Sequence, residues 1–560
     1  MCGIFAFLSQ LGSDETRAYK SYQFGQRLNK MRQASERIRH RGPDNSCDMV
    51  RIGYGNNGLL GLWSFLSFHR LAINDLSEFG NQPMCHPKDP NLILICNGEI
   101  YNHKQLYNQW IPTRNWVVNK SNSDCEIILH LYRTYGIEFT VRNLQGYFAF
   151  VLVDLNKCVY YIARDSIGVR SLFWGQNGTD VVVASELKAL TGLGLSIDQF
   201  PPGHIWSSAT NTLQSYKELE TISDISVYLT TDKLTTRIRE LLESAVRRCI
   251  TMTDRPIGCL LSGGVDSSLI SGIASKIIKN NGGRLRTFSI GMKGSTDLYY
   301  AKMVANYIDS DHTEVIVTAD ELLRAIPDTI RQIETCDTTT VRASTPMLML
   351  CKYIKANTDI AVVLSGEGSD EVCGSYMYFH NAPSAEKFDT ECRRLVSELS
   401  YFDVLRCDKC TAGAGLEVRV PFLNEKFREF YMKIPAQQRM PATWNMEKWL
   451  LRQAFRYTDT IPEAVLLRPK EGMSDGVSSQ AESWYQIIGR YVKTLDLSGD
   501  VKEYDNIPPP LTDEAKWYRL IFDAEYGEHI GAVFKHYWLP KWSGNITDPS
   551  ARILSVYKNQ

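Results

Sequence analysis

Three groups of residues have the types and spacing to do chemistry. The first is Cys2. Removal of Met1 would leave it as the terminal residue, with a thiol nucleophile and an α-amino base side by side. The reference pKa of that amine, about 8, lets it accept the thiol proton near neutrality. Taken alone, Cys2 reads better as the second residue of a buried first strand. The second group is Ser262-Gly-Gly-Val-Asp-Ser267. It lacks the Gly-Lys-Ser/Thr ending of a Walker loop. Two glycines and two hydroxyls at a helix N-terminus still make a nest of N–H groups for an anion. The third is Ser365-Gly-Glu-Gly-Ser-Asp-Glu371. Its three carboxylates, Glu367, Asp370 and Glu371, would be a solvated acidic loop on an ordinary surface. Behind a buried strand, at the ligand-binding edge of a parallel sheet, they read as a site. The pair Cys407-Asp-Lys-Cys410 has no second pair nearby to complete a zinc site and reads as two plain thiols.

The elements that must position these groups differ between the two halves of the chain. Up to about residue 205, short β-like runs dominate. Leu92–Cys96 is apolar and is expected to end at an Asn97-Gly98 turn. Ala149–Leu155 and Val159–Ala163 read as a hairpin, Val181–Ala184 as a strand, and Asp124–Leu131 as a helix capped by Ser123 or Asp124. That predicts an α+β domain of antiparallel sheet over 2–205. A polar stretch, 206–235, reads as a connection with one edge strand. From 236 to 560 strands alternate with helices. Ile238, Leu241, Leu242, Ala245, Val246, Cys249 and Ile250 share a helical face. Ile257–Leu261, Arg286–Gly291, Thr313–Val317 and Ile360–Leu364 read as buried strands. Glu321–Glu334 has helical spacing and carries Pro327. Strand, glycine loop, helix, repeated, is the grammar of an open parallel α/β sheet.

Composition narrows the function classes. The chain has 560 residues, 62 basic and 63 acidic, so the net charge is −1. That balance gives no electrostatic reason to expect a nucleic acid or an anionic membrane as partner. No run approaches the length of a membrane-spanning helix. The start of the chain lacks the basic region of a signal peptide. Fourteen scattered cysteines fit a reduced, cytosolic protein better than a disulfide framework.

The motifs taken in order carry a resemblance. Cys2-Gly-Ile-Phe5, Arg39-His-Arg-Gly-Pro-Asp44, His69-Arg-Leu71, Asn97-Gly-Glu-Ile-Tyr-Asn102 and Ser123-Asp-Cys-Glu126 together resemble the glutamine amidotransferase domain of the N-terminal-nucleophile type. The resemblance implies a sandwich of antiparallel sheets and a glutaminase. Cys2 would attack the glutamine amide, and Asn97 with the N–H of Gly98 would stabilise the oxyanion. Arg70 suits the α-carboxylate and Asp124 the α-ammonium group, with Glu99 alongside in the glutamine site.

The loop at Ser262–Ser267 resembles the pyrophosphate-binding loop of enzymes that cleave ATP to AMP and pyrophosphate. Alone it leaves the substrate open. Arg342-Ala-Ser-Thr-Pro346, Ser365–Glu371, Glu417-Val-Arg-Val-Pro-Phe-Leu423, Lys470–Gly476, His536–Trp542 and Asp548–Arg552 resemble the glutamine-hydrolysing asparagine synthetases. This resemblance implies ATP contacts at Leu260, Ser262, Gly263, Gly264, Asp266, Ser267, Ile290, Ser365 and Gly366. It places Mg²⁺ at Asp266, with Asp370 as a second ligand or a group orienting the substrate aspartate. β-Aspartyl-AMP would form at Glu367, with Arg342 and Lys470 as phosphate cations. The substrates would be aspartate, glutamine and ATP, with ammonia crossing between sites without loss to water. A homodimer is a candidate assembly. Three features depart from the family pattern: a long connection over 9–36, Asn424 where aspartate is usual, and the Cys407/Cys410 pair. A β-lactam-forming synthetase and a catalytically silent sensor are the alternatives, and an intact Cys2, Asp266 and Glu367 argue against them.

Overall fold

The computed structural model describes residues 1–10, 22–54, 60–111, 121–217, 230–479 and 481–554. The chain divides into two compact units. One comprises Met1–Leu219 with Ala412–Glu417 and Gly531–Val533, and the other Glu220–Thr411, Val418–Ile530 and Phe534–Gln560.

The first unit is built on two six-stranded antiparallel sheets among the described residues. In one, Gly3–Gln10 lies between Asp180–Ala184 and Leu60–Arg70, with Gly3 opposite His69. In the other, Asp89–Ile100 pairs with Gly146–Asp154, which pairs with Val159–Arg164. Strand alternation explains the layering. Ile4, Ala6 and Leu8 join Ile93, Ile95, Ala149 and Val151 in an apolar core between the sheets. On the outer face of the first sheet, helix Tyr22–Glu36 covers Phe7, with the Arg27 guanidinium 4.3 Å above the ring. On the outer face of the second, Leu94, Phe148 and Phe150 pack against Ile127, Ile128 and Leu131 of helix Ile127–Tyr135. The result is a four-layer helix–sheet–sheet–helix stack.

Asn97-Gly98 is not a turn. The strand runs on to Ile100, with Asn97 opposite Ala149 and Gly98 opposite Phe148. The glycine is required by close approach, since a Cβ at Gly98 would lie 2.3 Å from the carbonyl oxygen of Tyr147. The helix expected at Asp124 opens as a 3₁₀ turn, Asp124–Glu126, in which the Ser123 hydroxyl accepts from the Cys125 N–H. Of the long connection over 9–36, 22–36 forms the helix just described, and 11–21 lie outside the described residues. The polar stretch does contribute an edge strand, Thr212–Ser215, paired with His204–Ser207.

In the second unit, a sheet runs in the order Asp311–Ile316, Arg286–Gly291, Ile257–Leu260, Val362–Leu364, Glu417–Arg419, the first four strands parallel. The strand order reverses at Ile257–Leu260, where open α/β sheets bind ligands beyond the strand ends. The loops leaving Leu260 and Leu364 are the two glycine-rich segments. They meet closely: a Cβ at Gly366 would lie 2.9 Å from both the Ser267 nitrogen and the Asp266 Cβ. Helix Asp403–Gly413 carries Cys407 and Cys410 inward, where burial raises both thiol pKa values. They are core residues. Asn424 heads helix Glu425–Lys433 without a side-chain cap bond.

Candidate functional sites

In the first unit, a small cavity is lined by Cys2, Arg70, Asn97, Gly98, Glu99 and Asp124, so every residue expected there is brought to one place. Strand pairing does the gathering. Gly3 opposite His69 puts the Cys2 thiol 3.4 Å from the Leu71 nitrogen. Arg41, from the Arg39–Asp44 motif, donates to the Cys2 carbonyl at 3.0 Å and pairs with buried Glu186 at 2.7 Å. The Asp44 carboxylate accepts from Ala72, fixing the chain after Leu71.

The Cys2 nitrogen donates to Asn97 Oδ1 at 3.0 Å. That contact turns the other end of the amide, Nδ2, into the site, where it is buried and has no hydrogen-bond partner among the described residues. A buried donor left over is costly unless a ligand takes it. Arg70 is held by neutral oxygens, the carbonyls of Asp75 and Ser77 (2.8 Å) and Oδ1 of Asn81 (2.8 Å). Asn74, which the sequence did not single out, ties the two acids together. Its amide donates to Glu99 Oε2 at 2.7 Å and to Asp124 Oδ1 at 3.3 Å. Burial pushes Asp124 upward, against the backbone N–H of Ile100, which favours its charged form. Burial likewise pushes the Cys2 thiol up to about 11, so in the chain that keeps Met1 this thiol is neutral. The Met1 ammonium is itself buried, and burial lowers its pKa to about 5.

The second unit holds a larger cavity. Its wall contains Leu260, Ser262, Gly264, Asp266, Ser267, Ile290, Ser365, Gly366, Glu367, Asp370 and Lys470. Gly263 is not on the wall but makes the turn: its φ is +76°, and a Cβ would lie 2.4 Å from the Ala301 nitrogen. Helix Val265–Asn280 starts here with no side-chain cap bond, which leaves its first N–H groups for an anion.

Asp266 and Asp370 converge. Lys448 Nζ contacts both, at 2.6 Å each, and Lys470 Nζ reaches Asp370 at 2.6 Å and Asp266 at 3.9 Å. Burial alone would raise Asp370, but Lys448 and Lys470 outweigh it and hold its carboxyl well below the usual range. Glu367 pairs with Arg406 at 2.7 Å, and Arg406 also holds Asp403. Burial raises the Glu367 pKa despite that cation. Glu371 accepts from Tyr376 at 2.6 Å, and its pKa is raised strongly by burial and then by the neighbouring Asp403 carboxylate, with which it shares a hydrogen bond.

Two family models match the chain: an asparagine synthase model over residues 237–388 and 382–547, and a glutamine amidotransferase domain model over 1–223. The asparagine synthetase (glutamine-hydrolyzing) of Cricetulus griseus is 40% identical over 588 aligned residues, covering 100% of this chain and 99% of the relative. The enzymes of that name from Gallus gallus and Homo sapiens are also 40% identical, with the same coverage. The chain belongs to the glutamine-hydrolysing asparagine synthetase family.

One residue carried over from that family stands elsewhere. Arg342 is not on the cavity wall. Its guanidinium is buried between two carboxylates, Glu514 (2.6 and 2.8 Å) and Asp548 (2.7 and 2.9 Å). In this structure Arg342 is the centre of a buried ion-pair cluster with those two carboxylates, apart from the residues that line the cavity. Sequence reasoning also missed Lys448, Arg406, Asp403, Tyr376, Asp297 and Glu471, five of which line the cavity while Lys448 binds its two aspartates. Asp403 and Arg406 are three apart on a helix, a spacing shared with countless surface pairs. Lys448 adopts a left-handed backbone, φ 55°, which nothing in its sequence neighbourhood announces.

Proposed function

We propose that this chain makes asparagine: aspartate, glutamine, ATP and water give asparagine, glutamate, AMP and pyrophosphate. The observation that carries it is the pairing of two sites on one chain. Cys2 stands beside an unclaimed buried Asn97 amide in one, and a capless glycine loop faces Glu367 in the other. The glutaminase part is assigned to 2–205 and the synthetase part to 236–560, with 206–235 as the connection.

At the first site, removal of Met1 frees the Cys2 amine at the position that already contacts Asn97. The amine takes the thiol proton, and the thiolate attacks the glutamine side-chain carbonyl. Asn97 Nδ2 and the Gly98 N–H stabilise the oxyanion. The proton passes to the leaving ammonia, and water then hydrolyses the thioester to glutamate. Arg70 grips the α-carboxylate in two-donor fashion. Asp124 and Glu99 receive the α-ammonium group.

At the second site, Leu260, Ile290, Ser365 and Gly366 hold the adenosine, and Ser262–Ser267 the departing phosphates. The β-carboxylate of aspartate attacks the α-phosphorus and pyrophosphate leaves. Ammonia then attacks the acyl carbon of β-aspartyl-AMP and AMP leaves. Glu367, on the cavity wall and with its proton affinity raised by burial, takes the proton ammonia loses. Lys470 and Lys448 supply positive charge beside the phosphates. Asp266 and Asp370 converge on one cation, the Lys448 ammonium 2.6 Å from each, and a carboxylate pair that can share a cation beside the phosphate loop suits Mg²⁺, which binds through one or two carboxylates plus phosphates. Asp266 and Asp370 would hold it, and when bound it neutralises phosphate charge. The fourteen cysteines are scattered and most are buried, which suits a reducing compartment such as the cytosol.

The test is a product assay with aspartate, Mg-ATP and either glutamine or ammonium chloride. Asparagine and AMP should form with both nitrogen sources. Stoichiometric ADP and phosphate would overturn the assignment.

A further inference from the structure

The loop that carries Lys470 has no regular structure from Arg468 to Gly472, followed by one short turn of helix, Met473–Gly476. Its position is therefore set by side-chain ties. Lys470, Glu471, Gly472 and Ser474 all line the large cavity. Glu471 is tied on one side to the second unit's own core, accepting from Thr296 at 2.7 Å and from Arg468 at 2.8 Å. On the other side it is tied to a segment far along the chain. Arg552 Nη2 reaches Glu471 Oε1 at 2.6 Å and Nε reaches it at 3.2 Å, while Nη1 donates to the Ser479 carbonyl at 2.9 Å.

Two further contacts come from the same segment. The Ser550 hydroxyl donates to Asp475 Oδ1 at 2.7 Å, and the Ala551 N–H donates to its Oδ2 at 3.2 Å. Asp475 is buried, and burial raises its pKa, so these donors meet a carboxylate that needs them. Asp548 anchors the segment's other end on Arg342, itself chelated by Glu514. Residues 548–552 thus span from a buried arginine to both ends of the loop, touching Glu471, Asp475 and Ser479.

We propose that residues 548–552 form a strap that fixes the Lys470 loop against the ATP, with Arg552 as its positioning residue. This rests on the reading of the large cavity as the ATP site. Arg552 touches no reacting atom. It acts by holding Glu471, and so decides where the neighbouring Lys470 ammonium stands relative to Asp370 and to the phosphates. A one-residue displacement of that loop would move the cation off the departing pyrophosphate, and misplacements of about 1 Å can cost about 100-fold in rate.

The experiment uses the full chain and Arg552→Ala. Two readouts are made: hydrogen exchange of the amides over 470–479 without nucleotide, and aspartate-dependent exchange of labelled pyrophosphate into ATP. The strap predicts faster amide exchange over 470–479. It also predicts a KM for Mg-ATP raised about 10-fold, the scale of one charged hydrogen bond, with glutaminase activity unchanged. Arg552→Lys should fall between wild type and Arg552→Ala, since one ammonium can keep the Glu471 contact but not the Ser479 one. Unchanged amide exchange in Arg552→Ala would overturn the strap. Faster amide exchange with an unaltered KM would overturn its positioning role. Faster amide exchange in a protein whose wild type shows no pyrophosphate exchange would leave the strap standing and sink the ATP reading instead.

Discussion

Arg70 and Lys470 are both cations on a cavity wall, but they are held by opposite means. The partners of Arg70 are carbonyl and amide oxygens, which orient the guanidinium without neutralising it. Lys470 leans on Asp370 and Asp266. A planar two-donor grip on a carboxylate is specific to arginine. Arg70→Lys should raise the KM for glutamine roughly 10- to 100-fold, the worth of a hydrogen bond to a charged group, and leave the ammonia requirement unchanged. Equal changes with both nitrogen sources would contradict it. Asp297 shows how a buried acid ties stability to pH. Burial raises its pKa to about 7 although Arg468 lies 3.2 Å away. The folded value lies above the unfolded one, so its contribution is full below about pH 4 and is lost as pH rises through 7. Asp297→Asn should therefore gain in Tm relative to wild type between pH 5 and pH 8, measured by paired thermal scans, and a difference independent of pH would refute the raised pKa. Cys2, Arg70, Asn97, Gly98, Glu99 and Asp124 were legible as one set because each belongs to a short ordered motif, and the structure brings them to one cavity. Lys448, Asn74 and Arg406 were not, because their contacts come from what folding sets opposite them, and the carboxylates that hold Arg342 lie 172 and 206 residues away in sequence.

At the scale of elements, the glycine loops matter for what they leave out. Gly366 lets the loop after Val362–Leu364 lie against the start of helix Val265–Asn280, so that the two walls of the cavity share one backbone contact. Gly366→Ala would drive a methyl to 2.9 Å from the Ser267 nitrogen. Backbone cannot yield as a side-chain tip can, and overpacking of this kind costs about 1–3 kcal/mol. The variant should lose AMP formation with either nitrogen source while still releasing glutamate from glutamine. Near-normal AMP formation would show that the two loops can part without harm. The strands around these loops were legible from their apolar runs, and the parallel order from strand–loop–helix repetition. Asn97-Gly98 was misread because the same dipeptide that favours a hairpin also serves where two strands approach too closely for a side chain. Sequence alone does not separate an αL requirement from a packing one. The register Gly98 with Phe148 does.

At the scale of the molecule, the two candidate sites lie in two compact units, and the chemistry of each should survive loss of the other's. The order of motifs along the chain suggests two parts, whereas Ala412–Glu417 and Gly531–Val533 belong with the first unit, which linear motif order could not show. The second site requires only ammonia, whatever its origin. Cys2→Ala should therefore lower glutamine-dependent asparagine synthesis by about 10³-fold or more, the scale of removing a nucleophile. Ammonia-dependent synthesis should continue near the wild-type rate. The α-amino group is the second half of the same test. A tag left fused ahead of Cys2 converts that amine into an amide, with no basicity to offer a thiol that burial already holds near pKa 11. Such a protein should copy the Cys2→Ala phenotype, whereas a tag at the other end of the chain should do far less damage. Mass spectrometry of fully glutamine-active protein should find Cys2 as the first residue. If Met1 were retained there, the terminal-amine mechanism would fall. The proton would then need another acceptor near the thiol, and buried His69, on the strand next to Cys2 and bonded to Ser35 and Ser46, would be the first to replace.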